Sequence, residues 1–442
     1  MRIVNLFAVV LLVMSSTILA MAEPMEIDLE YKTMSRDGEN EYWAIGWQSI
    51  ERIDHLPEGD WVLPDFVATK PFLGVITLGE SQFYFALDTR KETSRFYDKL
   101  YMDLNCNRDL TDDPISSSDN VGGDGFYRRA DFSEFDLEYQ LDGKATPYRI
   151  CFNANAFSPD GKEMTNDPET WINNTTIIAR MTCYYRGEVR VNDKMMTFFL
   201  SDRDCNGRFN DVMGPSPGDI GLQGVQGDSI AISSGEQVSY NESMILGSHL
   251  AIGEDLFKIT VDIPANRILL DPVREGFGFL DLAESTEWVM ILSEQGSTSV
   301  VGYQPGKKLI VPPGAYRVTG YQLLRKDSNG GQWKLFAGAS PKAVYTSVAA
   351  NESARMQYAE PFTPVVSVPD YALQQFMQDA SSPVSLEFAL QGCAGEKVIN
   401  LLRSEKDDEI VRAAGSSRPE KPTYKILKPD GEIAAQGNFE YG

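Results

Sequence analysis

Short runs with a two-residue period constrain this chain more than any other feature. Residues 75–78, 83–87, 188–191, 197–200, 257–261 and 267–270 either alternate apolar with polar or stay apolar throughout. Those are the patterns of half-buried and fully buried strands. Turn formers separate them at hairpin spacing: Gly79-Glu80-Ser81, Asn192-Asp193 and Pro264-Ala265-Asn266. A helical pattern is confined to a short stretch at 370–378, where Asp370 can cap a turn carrying Leu373, Phe376 and Met377. The expected class is all-β.

A repeat organises the first half. Residues 74–78 and 83–87 form one hairpin pattern, and 187–191 with 196–200 form another. Each leads to an acidic loop, the second directly and the first after an added segment, 88–102. A third, weaker echo at 227–233 ends in Ser234-Gly235-Glu236; it keeps the strand and lacks the run of carboxylates, so no metal is expected there. Such repeats stack their strands into one extended sheet or barrel. Residues 249–252 and 257–270 read as a closing hairpin. Sandwich strands follow at 288–292, 299–303, 308–311, 316–322 and 333–336, and further strands at 385–390, 424–427 and 434–441. Residues 403–422, rich in charge and Ser/Pro/Gly, read as a solvated loop. The expected organisation is a signal peptide over 1–22, a duplicated hairpin-plus-calcium-loop domain over 23–275, a β-sandwich over 276–368 and a second sandwich unit over 369–442. Residues 312–318, Pro-Pro-Gly-Ala-Tyr-Arg-Val, resemble a segment of immunoglobulin-like and transthyretin-like sandwiches.

The N-terminus reads as a targeting segment. Arg2 precedes a mostly apolar run at 6–19, and Ala20-Met21-Ala22 offers small residues for a cut before Glu23. No later stretch reaches the ~20 apolar residues that span a bilayer. A secreted or periplasmic location with no membrane insertion after cleavage is therefore expected. The net charge of −24 repels nucleic acid and anionic membranes and attracts divalent cations. Only two histidines occur, His55 and His249, which excludes a histidine-rich zinc site. Five cysteines (Cys106, Cys151, Cys183, Cys205, Cys393) allow two disulfides in an oxidising compartment.

Two loops carry the chemistry. Residues 103–113 read Asp-Leu-Asn-Cys-Asn-Arg-Asp-Leu-Thr-Asp-Asp, and residues 202–211 read Asp-Arg-Asp-Cys-Asn-Gly-Arg-Phe-Asn-Asp. Oxygen-bearing side chains fill the first, third and fifth positions: Asp103, Asn105 and Asn107 in one, Asp202, Asp204 and Asn206 in the other. Asp109, Thr111 and Asp112 add oxygens to the first loop, and Asn210 and Asp211 to the second. Calcium takes six to eight oxygen ligands at ~2.3–2.6 Å, and alternate side chains of a curled loop converge on one point. Carboxylates and amides without sulfur or imidazole suit Ca2+ rather than zinc or copper. Gly207 at the sixth position suits a sharp turn; Arg108 stands there in the first loop, so the second is expected to bind more tightly. The competing reading of each loop is an Asx-rich turn whose oxygens cap backbone amides. Cys106 and Cys205 share the fourth position, so a pseudo-twofold packing of the two units would bring them together; Cys151–Cys183 is the alternative bridge.

The loops resemble those of EF-hand and dockerin calcium sites over their first nine positions. Pro114 and Met213 stand where an EF-hand has its bidentate glutamate, and strands rather than amphipathic helices lead into both loops. The mature chain as a whole resembles a group of exported bacterial β-proteins that carry D-x-N-x-(D/N) loops after hairpins and end in Gly-x-Phe-Glu-Tyr-Gly, here 437–442. What that resemblance implies is calcium loops on a β scaffold, and no activity.

The function expected is an exported calcium-binding structural or binding protein with a protein or glycan ligand. The alternative is a carboxylate-based glycan-active enzyme or a carbohydrate-binding accessory protein, since two facing carboxylates in a cleft suffice for glycoside hydrolysis. Gly227-Asp228-Ser229-Ile230 superficially matches a GDSL-type nucleophile block, but only His249 follows it.

Overall fold

The computed structural model describes residues 23–35, 40–91, 94, 96–118, 121–158, 168–216, 225–234, 243–328, 330–338, 344–378, 384–404 and 421–439. The signal peptide expected at 1–22, Glu236, the last residues of the C-terminal motif and most of the loop expected at 403–422 lie outside the described residues.

The chain is all-β, a sandwich of several sheets with two short helices, Pro168–Asn173 and Asp370–Gln378, among the described residues. Its largest sheet has 16 strands. The strand Met25–Thr33 sits inside it, between Cys183–Val191 on one side and Arg267–Pro272 on the other. From Cys183–Val191 the sheet continues through Lys194–Ser201 to Ser229–Ser233. In the other direction it passes Asp255–Asp262 and His249–Ile252, then pairs in parallel with Ser299–Tyr303. Strands from either side of residue 275 therefore share one hydrogen-bonded ladder.

Burial follows pattern. Phe135–Leu141 alternates strictly, with Phe135, Leu137, Tyr139 and Leu141 inside, as a strand with one wet face must. Thr286–Ser293 is apolar nearly throughout because both its faces are covered. Trp288, Met290 and Leu292 enter one core while Val289 and Ile291 enter another. The first core fills the space between the long sheet, a four-stranded sheet (Phe72–Leu78, Ser81–Asp88, Lys99–Met102, Ser116–Ser117) and a six-stranded sheet that includes Trp47–Ile50, Lys144–Phe157 and Thr175–Met181.

The two acidic loops leave different sheets. Lys99–Met102 runs straight into Asp103 and belongs to the four-stranded sheet, whereas Lys194–Ser201 runs into Asp202 and belongs to the long one. The hairpin at 72–88 therefore does not itself feed the first loop. A third antiparallel strand, Lys99–Met102, lies inside what reads in the sequence as an added segment.

Candidate metal centre

The two loops fold alike. In the first, Asp103 Oδ1 accepts the Asn107 amide at 3.0 Å and Oδ2 accepts Arg108 N–H at 2.9 Å. In the second, Asp202 Oδ1 accepts Asn206 N–H at 3.2 Å and Oδ2 accepts Gly207 N–H at 2.7 Å. The fifth residue repeats the correspondence. Asn107 Oδ1 accepts Asp109 N–H at 2.8 Å and its amide donates to Asp112 at 2.7 Å. Asn206 Oδ1 accepts Arg208 N–H at 2.6 Å and its amide donates to Asp211 at 2.6 Å. Backbone torsions agree: φ is 58° at Cys106 and 56° at Cys205, 70° at Arg108 and 81° at Gly207. Tight Asx turns force these left-handed residues.

Their surroundings differ. Phe209 is fully buried against Tyr148 and Tyr185, with ring centroids 6.0 and 5.0 Å away. Gly207 lies so close to Gly79 that a Cβ would stand 2.8 Å from the Gly79 nitrogen. Gly79 N–H donates to the Asn206 carbonyl at 2.8 Å, and the Tyr139 hydroxyl donates to that of Gly207. Leu110, the counterpart of Phe209, instead joins a small satellite cluster with Ala86 and Tyr101. The first loop is otherwise open: Asn105, Asn107, Thr111 and Asp112 are exposed, and only Asp103 is buried at its base.

Asp228, in the segment read from the sequence as a metal-free echo, lies against the second loop. It is 1 % exposed, and one oxygen each of Asp202, Asp204 and Asp228 lies within 4.8 Å of the others. Asp228 accepts Arg203 N–H at 3.0 Å and Asp211 N–H at 2.8 Å, so it holds both ends of the second loop. In the first loop the corresponding second-position amide, Leu104 N–H, goes to Asp113 at 2.8 Å. The second loop has Val212 in place of Asp113, and Asp228, just ahead of the strand Ser229–Ser233, does that work. The missing eleventh-position carboxylate was the signal in the sequence.

Burial pushes the Asp202 carboxyl well above the usual carboxylate range, and the neighbouring Asp204 charge pushes it further. Asp228 is raised first by burial and then by Asp202. Neither these two nor Asp204 forms an ion pair with lysine or arginine among the described residues. Buried carboxylates so close together require a proton or a cation. In the first loop, burial raises Asp113, while hydrogen bonds from Thr111 lower Asp109. The Asn206 amide, 3.3 Å from Asp204 and 2.6 Å from Asp211, supplies partial positive charge between two carboxylates. Asn210 is exposed.

The cysteine expectation is overturned. All five cysteines are free, with Cys106 exposed and Cys205 buried. The loops end strands of separate sheets, so no pseudo-twofold contact brings the shared fourth positions together. Cys205 Sγ faces the Ala179 carbonyl at 4.0 Å and Cys106 Sγ faces that of Gln82 at 3.6 Å. Cys151 and Cys183 are buried as separate thiols, and burial pushes the Cys183 thiol up to about 12. Its thiolate is thereby suppressed.

No protein-family model, no curated protein and no solved structure matches the chain.

Proposed function

We propose that this is an exported β-protein that binds calcium in both loops and uses it to stiffen the strands they terminate, presenting a surface to a protein or glycan. The observation that carries this reading is the Asp202, Asp204 and Asp228 group, two of whose carboxylates are buried and which, among the described residues, makes no ion pair with lysine or arginine. Its donors are oxygens alone, which suits a hard cation. The residues that would hold the ion are Asp202, Asp204 and Asp228, with Asn206, Asn210 and Asp211 beside them. In the first loop they are Asp103, Asn105, Asn107, Asp109, Thr111 and Asp112. Calcium would supply positive charge to the buried carboxylates and would link the end of one strand to the start of another.

Calorimetric titration of the full chain with Ca2+, with Mg2+ as comparison, tests the proposal. Two binding events are expected; Asp202→Ala removes the tighter and Asp103→Ala the weaker. Titrations unchanged in both variants would overturn it.

A further inference from the structure

Both acidic loops grip the hairpin formed by Phe72–Leu78 and Ser81–Asp88, and both do so within residues 79–84. From the second loop, the Asn206 carbonyl accepts Gly79 N–H at 2.8 Å, at the turn of that hairpin. From the first, Asp103 N–H donates to the Tyr84 carbonyl at 2.9 Å, and Cys106 Sγ faces that of Gln82 at 3.6 Å. A short piece of backbone thus leads from the fifth position of one loop to the first position of the other.

The turn has little freedom. Gly79 has φ 54°, and a Cβ there would stand 2.5 Å from the Gln140 carbonyl oxygen. Glu80 N–H donates to that carbonyl at 2.9 Å, and Ser81 Oγ accepts Gln140 N–H at 3.0 Å. Close-packed contacts of this kind hold one arrangement or give way to another, without stretching by degrees.

The second loop anchors the arrangement. Its carbonyls at Arg203, Cys205 and Gly207 accept from Trp47 N–H, Gln48 Nε2 and the Tyr139 hydroxyl, all on the six-stranded sheet. Through Gly79 it also holds the four-stranded sheet, and it continues Lys194–Ser201 of the long one. The first loop rests on the hairpin instead. Leu110 packs with Leu73 and Ala86, one from each hairpin strand, and with Tyr101 of the strand paired to it. The floor of the first loop is therefore set by a hairpin whose turn the second loop holds.

We infer that the two loops bind calcium cooperatively, coupled through the hairpin turn at 79–84. The inference rests on the calcium reading above and adds its regulation: filling one site sets the affinity of the other. An ion draws the carboxylates of Asp202, Asp204 and Asp228 together and so fixes the backbone of the second loop, the Asn206 carbonyl included. That carbonyl fixes Gly79, the turn fixes Gln82 and Tyr84, and the first loop receives its ion on a floor already ordered. The entropy of ordering the turn is lost once, with the first ion, so the second binds more tightly. Linkage makes the effect reciprocal, so each site gains the same factor from the other. The loops end strands of separate sheets, and the hairpin backbone carries the coupling between them.

Calorimetric titration of the full chain with Ca2+, repeated on variants, tests the inference. Asp204→Asn weakens the second site at an exposed residue, and Asp112→Asn weakens the first in the same way. In each variant the other site is expected to bind about fivefold more weakly or worse than in the native chain, by one factor in both directions. Hydrogen exchange gives a second readout that leaves the turn untouched. In Asp112→Asn, at a calcium concentration that fills only the second loop, exchange at the Gly79 and Asp103 amides should slow about fivefold or more. Gly79→Ala, whose Cβ displaces the turn, should keep both binding events and lose the coupling, so that adding Asp204→Asn no longer alters the first site. If Gly79→Ala does not fold, the exchange measurement on the native turn decides. Sites that bind calcium but ignore each other's substitution overturn the inference and leave the calcium reading standing. Exchange at Asp103 that ignores calcium in Asp112→Asn, or coupling that persists in a folded Gly79→Ala chain, does the same. Absence of any calcium binding overturns both.

Discussion

The loops at 103–113 and 202–211 share one backbone conformation and sit on opposite sides of the distinction between surface and core. Phe209 locks the second into the main core, and Asp228, just ahead of the strand Ser229–Ser233, closes it. Leu110 ties the first to a satellite cluster, and its own Asp113 closes it. The same turn-forming bonds therefore sit in one loop with a buried, electrostatically loaded base and in another whose carboxylates are mostly solvated. The lesson is that a loop motif specifies its turns, while burial around it decides how much a bound charge is worth.

Substituting the two core contacts should break the comparison most strongly. Phe209→Ala is expected to cost about 3–5 kcal/mol and Leu110→Ala about 2–3 kcal/mol, read by urea denaturation, because the satellite cluster collapses more easily around its cavity. Equal losses would show that the two loops are seated alike.

Calcium should sharpen it. At a free ion concentration ~100-fold above Kd, one site adds about 2.7 kcal/mol of stability. Chelation should lower the melting temperature of the native chain and of Asp103→Ala by similar amounts, and that of Asp202→Ala by clearly less. A chelation effect that Asp202→Ala leaves intact would place the stabilising ion elsewhere.

The pH dependence in chelator follows from the raised carboxyls of Asp202 and Asp228. A carboxyl whose folded pKa exceeds its unfolded value binds more protons in the native state. Its contribution to stability therefore falls as pH rises from the unfolded value through the folded one, by up to about 1.4 kcal/mol per pH unit for each extra proton held. Between pH 4 and neutrality, Asp228→Asn should show a shallower decline than the native chain, measured by urea midpoints without calcium. Saturating calcium should flatten the difference. Parallel profiles in chelator would mean that Asp228 does not carry the burial penalty.

The smallest effect concerns the sixth position. Arg108 occupies the left-handed region at φ 70°, so Arg108→Gly should stabilise by about 0.5–1 kcal/mol. Gly207→Ala should destabilise by more than that, because the added Cβ also meets the Gly79 nitrogen at 2.8 Å. Melting temperatures of the two variants, moving in opposite directions, check it.

Strand positions were legible wherever one sheet face is wet or both are covered. The runs at 75–78, 197–200, 257–261 and 288–292 all fall inside strands, and the short helix at 370–378 is present. The strands Met25–Thr33, Phe135–Leu141 and Lys144–Phe157 were not singled out, although the second alternates perfectly. The loops' internal bonds were legible because each Asx oxygen reaches an amide only two to five residues ahead.

By itself, then, the sequence determined the all-β class, the turns and the internal shape of both loops, since periodicity and Asx bonding act within about ten residues of chain. Tertiary structure decided that the loops end different sheets, that Cys106 and Cys205 never meet, and that Asp228 closes the second loop. It also decided that Trp43 and Trp47 stay outside while Tyr42 between Glu41 and Trp43 goes in. Those outcomes depend on which strands pair. Pairing is the sum of many small cross-strand contacts between distant residues, and no short window of the chain contains them.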